Sequence, residues 1–155
     1  MRNQKHISSR RNRGLTLIEV LVTLVVISMG LLGVAALQMR TLRHNYDALM
    51  RSHASALADD IADRMRVNRV AVRPASGSSE YDAEFGDPPE LPNDASQALR
   101  DVVEWKEAVA ARLPSGDGEV VVTENTGLVT IRVRWGERSD DPDDEAITFT
   151  TETVI

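Results

Sequence analysis

The stretch RGLTLIEVLVTLVVISMGLLGVAAL, residues 13–37, decides how this chain is read. A glycine closes a basic run, an apolar run begins at Leu15, and the carboxylate of Glu19 sits near its start. From Val20 to Leu37 eighteen consecutive residues carry no charge. As a helix they extend roughly 27 Å, close to the hydrocarbon thickness of a bilayer. A chain of 155 residues offers too little material to wrap a helix that is apolar on every face, so the pattern predicts a membrane segment. Residues 1–13 hold Arg2, Lys5, Arg10, Arg11 and Arg13 and no acid. That flank predicts a cytoplasmic N-terminus, a single pass through the membrane and an exported C-terminal part. An ordinary secretory signal puts its small cleavage residue after the apolar run. Here Gly14 precedes the run, so a cut after Gly14 leaves the apolar segment on the mature protein.

Beyond the apolar run the helical pattern continues through residues 38–73, with no Pro or Gly. Leu42, Tyr46, Leu49, Met50, His53, Leu57, Ile61 and Met65 recur at steps of three and four, one stripe of an amphipathic helix. Asp60 with Arg64, and Asp63 with Arg66, sit at helical pair spacing. The reading is one nearly continuous helix from 15 to 73, roughly 88 Å long, ended by Pro74. Its first half, 15–38, is apolar all round; its second half, 39–73, is apolar on one stripe. Residues 74–92 are rich in Pro, Gly, Ser and acids and predict a loop. A second helix follows, capped by Asn93 or Asp94 and ended by Pro114, with Leu99, Val102, Val103, Val109 and Leu113 as its apolar face.

Strand signals come last. EVVVTE (119–124) and LVTIRVRW (128–135) flank NTG (125–127), a three-residue hairpin loop in which Gly127 is free to take positive φ, and AITFTTETVI (146–155) supplies a third strand. Val129, Ile131, Val133 and Trp135 alternate with Thr130, Arg132 and Arg134, as a sheet with one wet face requires. The expected fold is therefore α+β: one long N-terminal helix packed against a small antiparallel sheet with one extra helix. The head, 74–155, is marginal alone at 82 residues, and the stripe on 42–65 is the natural surface for its sheet, with Leu57, Ile61 and Met65 facing Val129, Ile131 and Val133.

Composition excludes several functions. The formal net charge is -6, and without residues 1–13 it is -11. So acidic a remainder argues against nucleic acid as a partner. The chain has no cysteine, which removes disulfides, thiolate metal sites and thiol catalysis. His6, His44 and His53 do not share a ligand or catalytic spacing, DDPDDE (140–145) lacks the alternating pattern of a calcium loop, and Arg64, Arg66 and Arg69 are balanced by neighbouring acids. Trp105 and Trp135 read as core or subunit contacts. No serine or threonine carries a nucleophile motif, so no enzyme activity, cofactor or metal is expected.

At Gly14 the sequence resembles the class III signal of type IV pilins and pseudopilins: a basic leader, a glycine at the cut and a glutamate at the fifth mature position. GLLGVAALQMRTLRHN, ALADDIADRMRVNR, VEWKEAVAARLP and VTIRVRW resemble the PilV family of minor pilins, the type IV pilus modification proteins. The resemblance implies a leader of residues 1–14 removed by prepilin peptidase, Leu15 as the first mature residue and the site of N-methylation, and Glu19 as a subunit-assembly residue. Leu15 stands where phenylalanine is more usual, and no proline interrupts the helix as it commonly does in major pilins. Cleavage creates a positive amine on Leu15, and Glu19 of one subunit can pair with that amine of its neighbour. At about 4 Å and an effective dielectric near 20 such a pair attracts by roughly 4 kcal/mol. The resemblance further implies a bacterial inner-membrane protein with a periplasmic head, incorporated into a pilus. Its partners would be other minor pilins, the major pilin, a tip adhesin and the inner-membrane assembly platform. The expected function is a minor pilin that helps initiate assembly at or near the pilus tip. A minor pseudopilin of type II secretion and a pilin that binds DNA or surfaces share the same N-terminal physics.

Overall fold

The computed structural model describes residues 16–74, 77–123, 126–136 and 146–155. Three helices, α1 (Leu17–Val67), α2 (Arg69–Val72) and α3 (Gln97–Arg112), precede three strands, β1 (Asp117–Thr123), β2 (Leu128–Trp135) and β3 (Ile147–Val154). The chain divides into two compact units, Met1–His44 and Asn45–Ile155, and the boundary falls inside α1. The architecture is the α+β arrangement that the hydropathy pattern predicts, and it is consistent with the pilin-like fold that the resemblance implies.

In the first unit α1 is exposed on every side from Leu17 to His44. Its large apolar side chains are between 46% (Val20) and 79% (Leu17) exposed. Within α1 lies one window of 18 residues that is long and apolar enough to cross a membrane, and none of it is covered by protein.

In the second unit the sheet is an antiparallel meander in the order β1-β2-β3. Asp117 pairs with Arg134 and Thr123 with Leu128, so four residues, 124–127, join β1 to β2. Gly127 takes φ +69°, and a Cβ there would press on the carbonyl of Ile155. Only glycine meets both demands cheaply. Val129, Ile131, Val133 and Trp135 of β2 point into the core, and the alternate residues stay half exposed.

The buried stripe of α1 differs from the sequence expectation in its membership. Met50, Leu57, Ile61 and Met65 are buried as expected and join Val129, Ile131 and Val133 in one core. Leu42 and Leu49, expected on the stripe, are exposed. Ala54, Ala58 and Ala62 take the intervening inward positions. Trp105 of α3 belongs to the same core. Its indole Nε1 donates to the carbonyl of Leu57 at 2.9 Å. The ring is fully buried and lies over Gly118, where any Cβ would collide with it.

Three boundaries also differ. The expected helix to residue 73 stops at Val67, because Asn68 leaves helical geometry (φ -113°, ψ 51°). Its backbone N–H is shared between the carbonyls of Arg64 and Met65, both at 3.2 Å, and its side chain turns to the Tyr81 hydroxyl at 3.4 Å. Asparagine trades helix hydrogen bonds for such local partners more readily than aliphatic residues do. The cap of α3 is Ser96, whose hydroxyl accepts from Leu99 N at 3.3 Å, and not Asn93 or Asp94. The carbonyl of Asn93 instead accepts from Arg100. Finally, the segment expected as a plain loop adds a bridge to the sheet: Ala83 and Val120 exchange both backbone hydrogen bonds, at 2.9 and 2.8 Å.

Candidate assembly site at the start of the first helix

Of the three residues implicated in processing and assembly, Gly14 and Leu15 lie outside the described residues. Glu19 is placed in the first turn of α1 and is exposed. The backbone N–H of Glu19 reaches the carbonyl of Thr16 at 3.1 Å and its hydroxyl at 3.3 Å. Thr16 thus caps the helix, and Glu19 stands three residues on, the spacing of a capping box. A carboxylate in the first turn also faces the positive end of the helix dipole, worth a few tenths to about 1 kcal/mol when exposed. Sequence reasoning missed Thr16. Its signal is T-x-x-E ahead of an apolar run, next to the glycine that closes the basic leader.

This geometry gives the acid a local reason to sit at residue 19 that needs no neighbour. It does not relieve the cost of enclosing the charge. The side chain is solvated here, and moving it into hydrocarbon or between apolar helices costs a few kcal/mol or more without a cationic partner. Further along the same segment, the hydroxyls of Thr23 and Ser28 donate to the carbonyls of Glu19 and Leu24 at 2.7 and 2.6 Å. Glu19 is left as the only ionisable side chain of α1 before Arg40.

Residues 9–35 match the family described as Prokaryotic N-terminal methylation motif. This is a type IV pilin-like signal. A pilin-type signal implies processing by a prepilin peptidase and assembly with pilus components. The motif and the long apolar helix together fit membrane anchoring and incorporation into a pilus. No curated protein and no solved structure matches the chain.

The second unit holds two polar clusters that hydropathy alone does not reveal. In one, Asp101 of α3 is buried and accepts from the Tyr81 hydroxyl at 2.7 Å and from Gln97 Nε2 at 2.9 Å. Arg64 approaches Asp101 at 3.6 Å and binds Asp60 and Glu104 at 3.2 and 2.9 Å. Burial, reinforced by the Asp101 hydrogen bond, pushes the Tyr81 hydroxyl up to about 12. Burial works against the Arg64 charge, and the Glu104 hydrogen bond and surrounding acids outweigh it and raise its pKa. In the other cluster the buried Lys106 ammonium donates to the carbonyls of Glu84 and Gly118 at 2.5 and 3.0 Å and pairs with Asp117 at 3.4 Å. Asp117 also accepts from Gly86 N, Gly118 N and Arg134 at 2.7–2.8 Å. Burial would raise the Asp117 pKa, but the two backbone donors, Lys106 and Arg134 more than offset it and lower it.

Both clusters are saturated with internal partners, which marks them as struts rather than reactive groups. They tie residues 79–87 to α3 and β1. His44 is exposed and His53 half buried, and the two do not share an ion pair or hydrogen bond. Among the described residues no group of three or more histidines and acids is placed to hold a metal. The acidic stretch 140–145 and His6 lie outside the described residues.

Proposed function

We propose that this chain is a minor pilin of the PilV kind, a non-enzymatic subunit that helps initiate type IV pilus assembly and sits at or near the pilus tip. The observation that carries the reading is the methylation motif over residues 9–35, continued by a helix segment that is apolar all round and exposed. In this reading prepilin peptidase cuts between Gly14 and Leu15, Leu15 is N-methylated, and Glu19 pairs with the Leu15 amine of an adjacent subunit. The head is periplasmic before assembly, and the partners are other minor pilins, the major pilin, a tip adhesin and the inner-membrane platform. The lack of any cysteine supports a minor over a major subunit, because the C-terminal disulfide loop usual in major pilins cannot form.

Deleting the gene tests the role. Loss of surface pili with secretion intact is the expected result. Intact pili with lost type II secretion would move the chain to the pseudopilins. Processing is tested separately by the intact mass of the membrane-bound protein. The wild type should begin at Leu15, and Gly14→Arg should leave the full-length precursor. A wild-type protein that still begins at Met1 in cells with active prepilin peptidase would refute the class III reading.

A further inference from the structure

Between residues 80–89 and the first turns of α3 lies an open cavity of about 280 Å³. Its floor is apolar: Ala83, Phe85, Leu99 and Val102 line it, with the stem of Lys106. Its rim carries Glu80, Asp82, Glu84 and Asp87, all exposed. The Lys106 charge does not balance them, because the ammonium is turned onto Asp117 and two carbonyls. None of the four rim acids makes an ion pair among the described residues.

The walls are preformed. Ala83 is bridged to β1, the Asp82 carboxylate accepts Val122 N at 2.7 Å, Lys106 holds the Glu84 carbonyl, and Gly86 N is fixed on Asp117. The Phe85 ring is clamped beneath the Arg134 guanidinium at 4.2 Å. A site held this way loses little conformational entropy on binding. Its volume sits at or below the lower end of small-molecule pockets, roughly 300–1,000 Å³, and suits one long side chain. An apolar floor beneath an anionic rim matches one chemistry best, a side chain with an aliphatic stem and a cationic end.

We propose that this groove is a docking site for a lysine or arginine side chain presented by a neighbouring protein subunit. The stem would lie on Phe85, Leu99 and Val102, and the cation would meet Glu84 and Asp87. The proposal does not depend on which secretion or pilus system the chain serves.

The test uses the full chain in lipid nanodiscs and the peptide acetyl-Gly-Leu-Lys-Leu-Gly-amide, titrated at low ionic strength. Parallel probes replace the lysine by arginine or by norleucine, and lysine amide serves as the free amine. Binding of the lysine and arginine peptides is expected. It should weaken at least tenfold in Glu84→Gln/Asp87→Gln and stay unchanged in Asp59→Asn/Glu152→Gln. Equal weakening in both double variants would reduce the effect to general surface charge and overturn the proposal. Equal binding of the norleucine peptide would make the groove merely apolar. Lysine amide binding as tightly as the peptide would assign it to free amines instead of a protein segment. No binding of any probe would also overturn the proposal.

Discussion

Between Leu17 and His44 every residue of α1 is exposed, whereas between Asn45 and Val67 seven are buried. One helix thus contains two solutions to the same problem. The lower part carries seven charged residues and hides Met50, Leu57, Ile61, Met65 and three alanines against its own sheet and α3. The upper part has apolar groups all round, and they are exposed. So apolar a span fits membrane anchoring and incorporation into a pilus. Substitutions in the two parts should therefore register in different assays: folding for the lower, insertion and assembly for the upper.

The largest effect is expected at Glu19. Glu19→Gln should keep insertion and leader cleavage and lose incorporation into filaments by more than a hundredfold. Stranding a neighbour's buried amine costs several kcal/mol, and each 1.4 kcal/mol is about tenfold. Immunoblots of sheared filaments against the inner-membrane fraction measure it, and equal amounts of variant and wild type in the filaments would sink the assembly role. The thermal stability of the second unit should not change.

Next comes Ile61→Ala, which should destabilise the second unit by about 2–5 kcal/mol, the usual range for truncating a buried aliphatic side chain. Leu24→Ala, the same kind of truncation in the exposed part, should leave its melting unchanged. Both are read in detergent by fluorescence of the buried Trp105. Equal losses would abolish the distinction between the two parts of α1.

The third prediction concerns pH. Tyr81 keeps its proton to about 12 in the folded protein, against about 10 when unfolded. Above pH 10 the unfolded chain binds fewer protons than the folded one, so stability falls as pH rises from about 10 towards about 12. Tyr81→Phe should remove that component of the alkaline slope. Asp117 acts at the opposite end. Its lowered pKa gives stability that is fully present above the unfolded carboxylate value and is lost as pH falls through the folded one. Asp117→Asn should flatten the acid limb in urea titrations across that range. An unchanged limb would show that the strut carries no linkage.

The smallest effect belongs to the helix caps. Ser96→Ala should cost about 1 kcal/mol in the second unit. Thr16→Ala, an equivalent cap in the other unit, should not shift that unfolding midpoint. A shift with Thr16→Ala would show that the two units do not unfold independently.

Much of this fold was legible because it rests on period and punctuation. The uncharged run 20–37, the alternation in 128–135 and the glycine at 127 each reflect a local demand of backbone or solvent. The parts that escaped depend on distant partners. Ala54, Ala58 and Ala62 give almost no hydropathy signal, yet they are buried in the core. Nothing in the helix pattern singles out Asp101 and Lys106, and they are buried with Tyr81 and Asp117, which arrive from elsewhere in the chain, as partners. Leu42 and Leu49 have the correct spacing, but periodicity cannot say where the covering surface ends. At the candidate site, Glu19 stands out as a charge in an apolar run, whereas Thr16 is one of many hydroxyl residues and its T-x-x-E spacing alone marks it as a cap.

Two back-bonded hydroxyls in the uncharged run of α1 bear on how the segment could change surroundings. Thr23 and Ser28 find their acceptors one turn earlier on the same helix. Leaving lipid for a protein filament, or returning to it, breaks neither bond, because both travel with the segment. For those residues the two media are nearly interchangeable, and the helix has no polar grip on either at those turns. Under the assembly role proposed for Glu19, traffic between membrane and filament would turn on that one carboxylate and not on these hydroxyls.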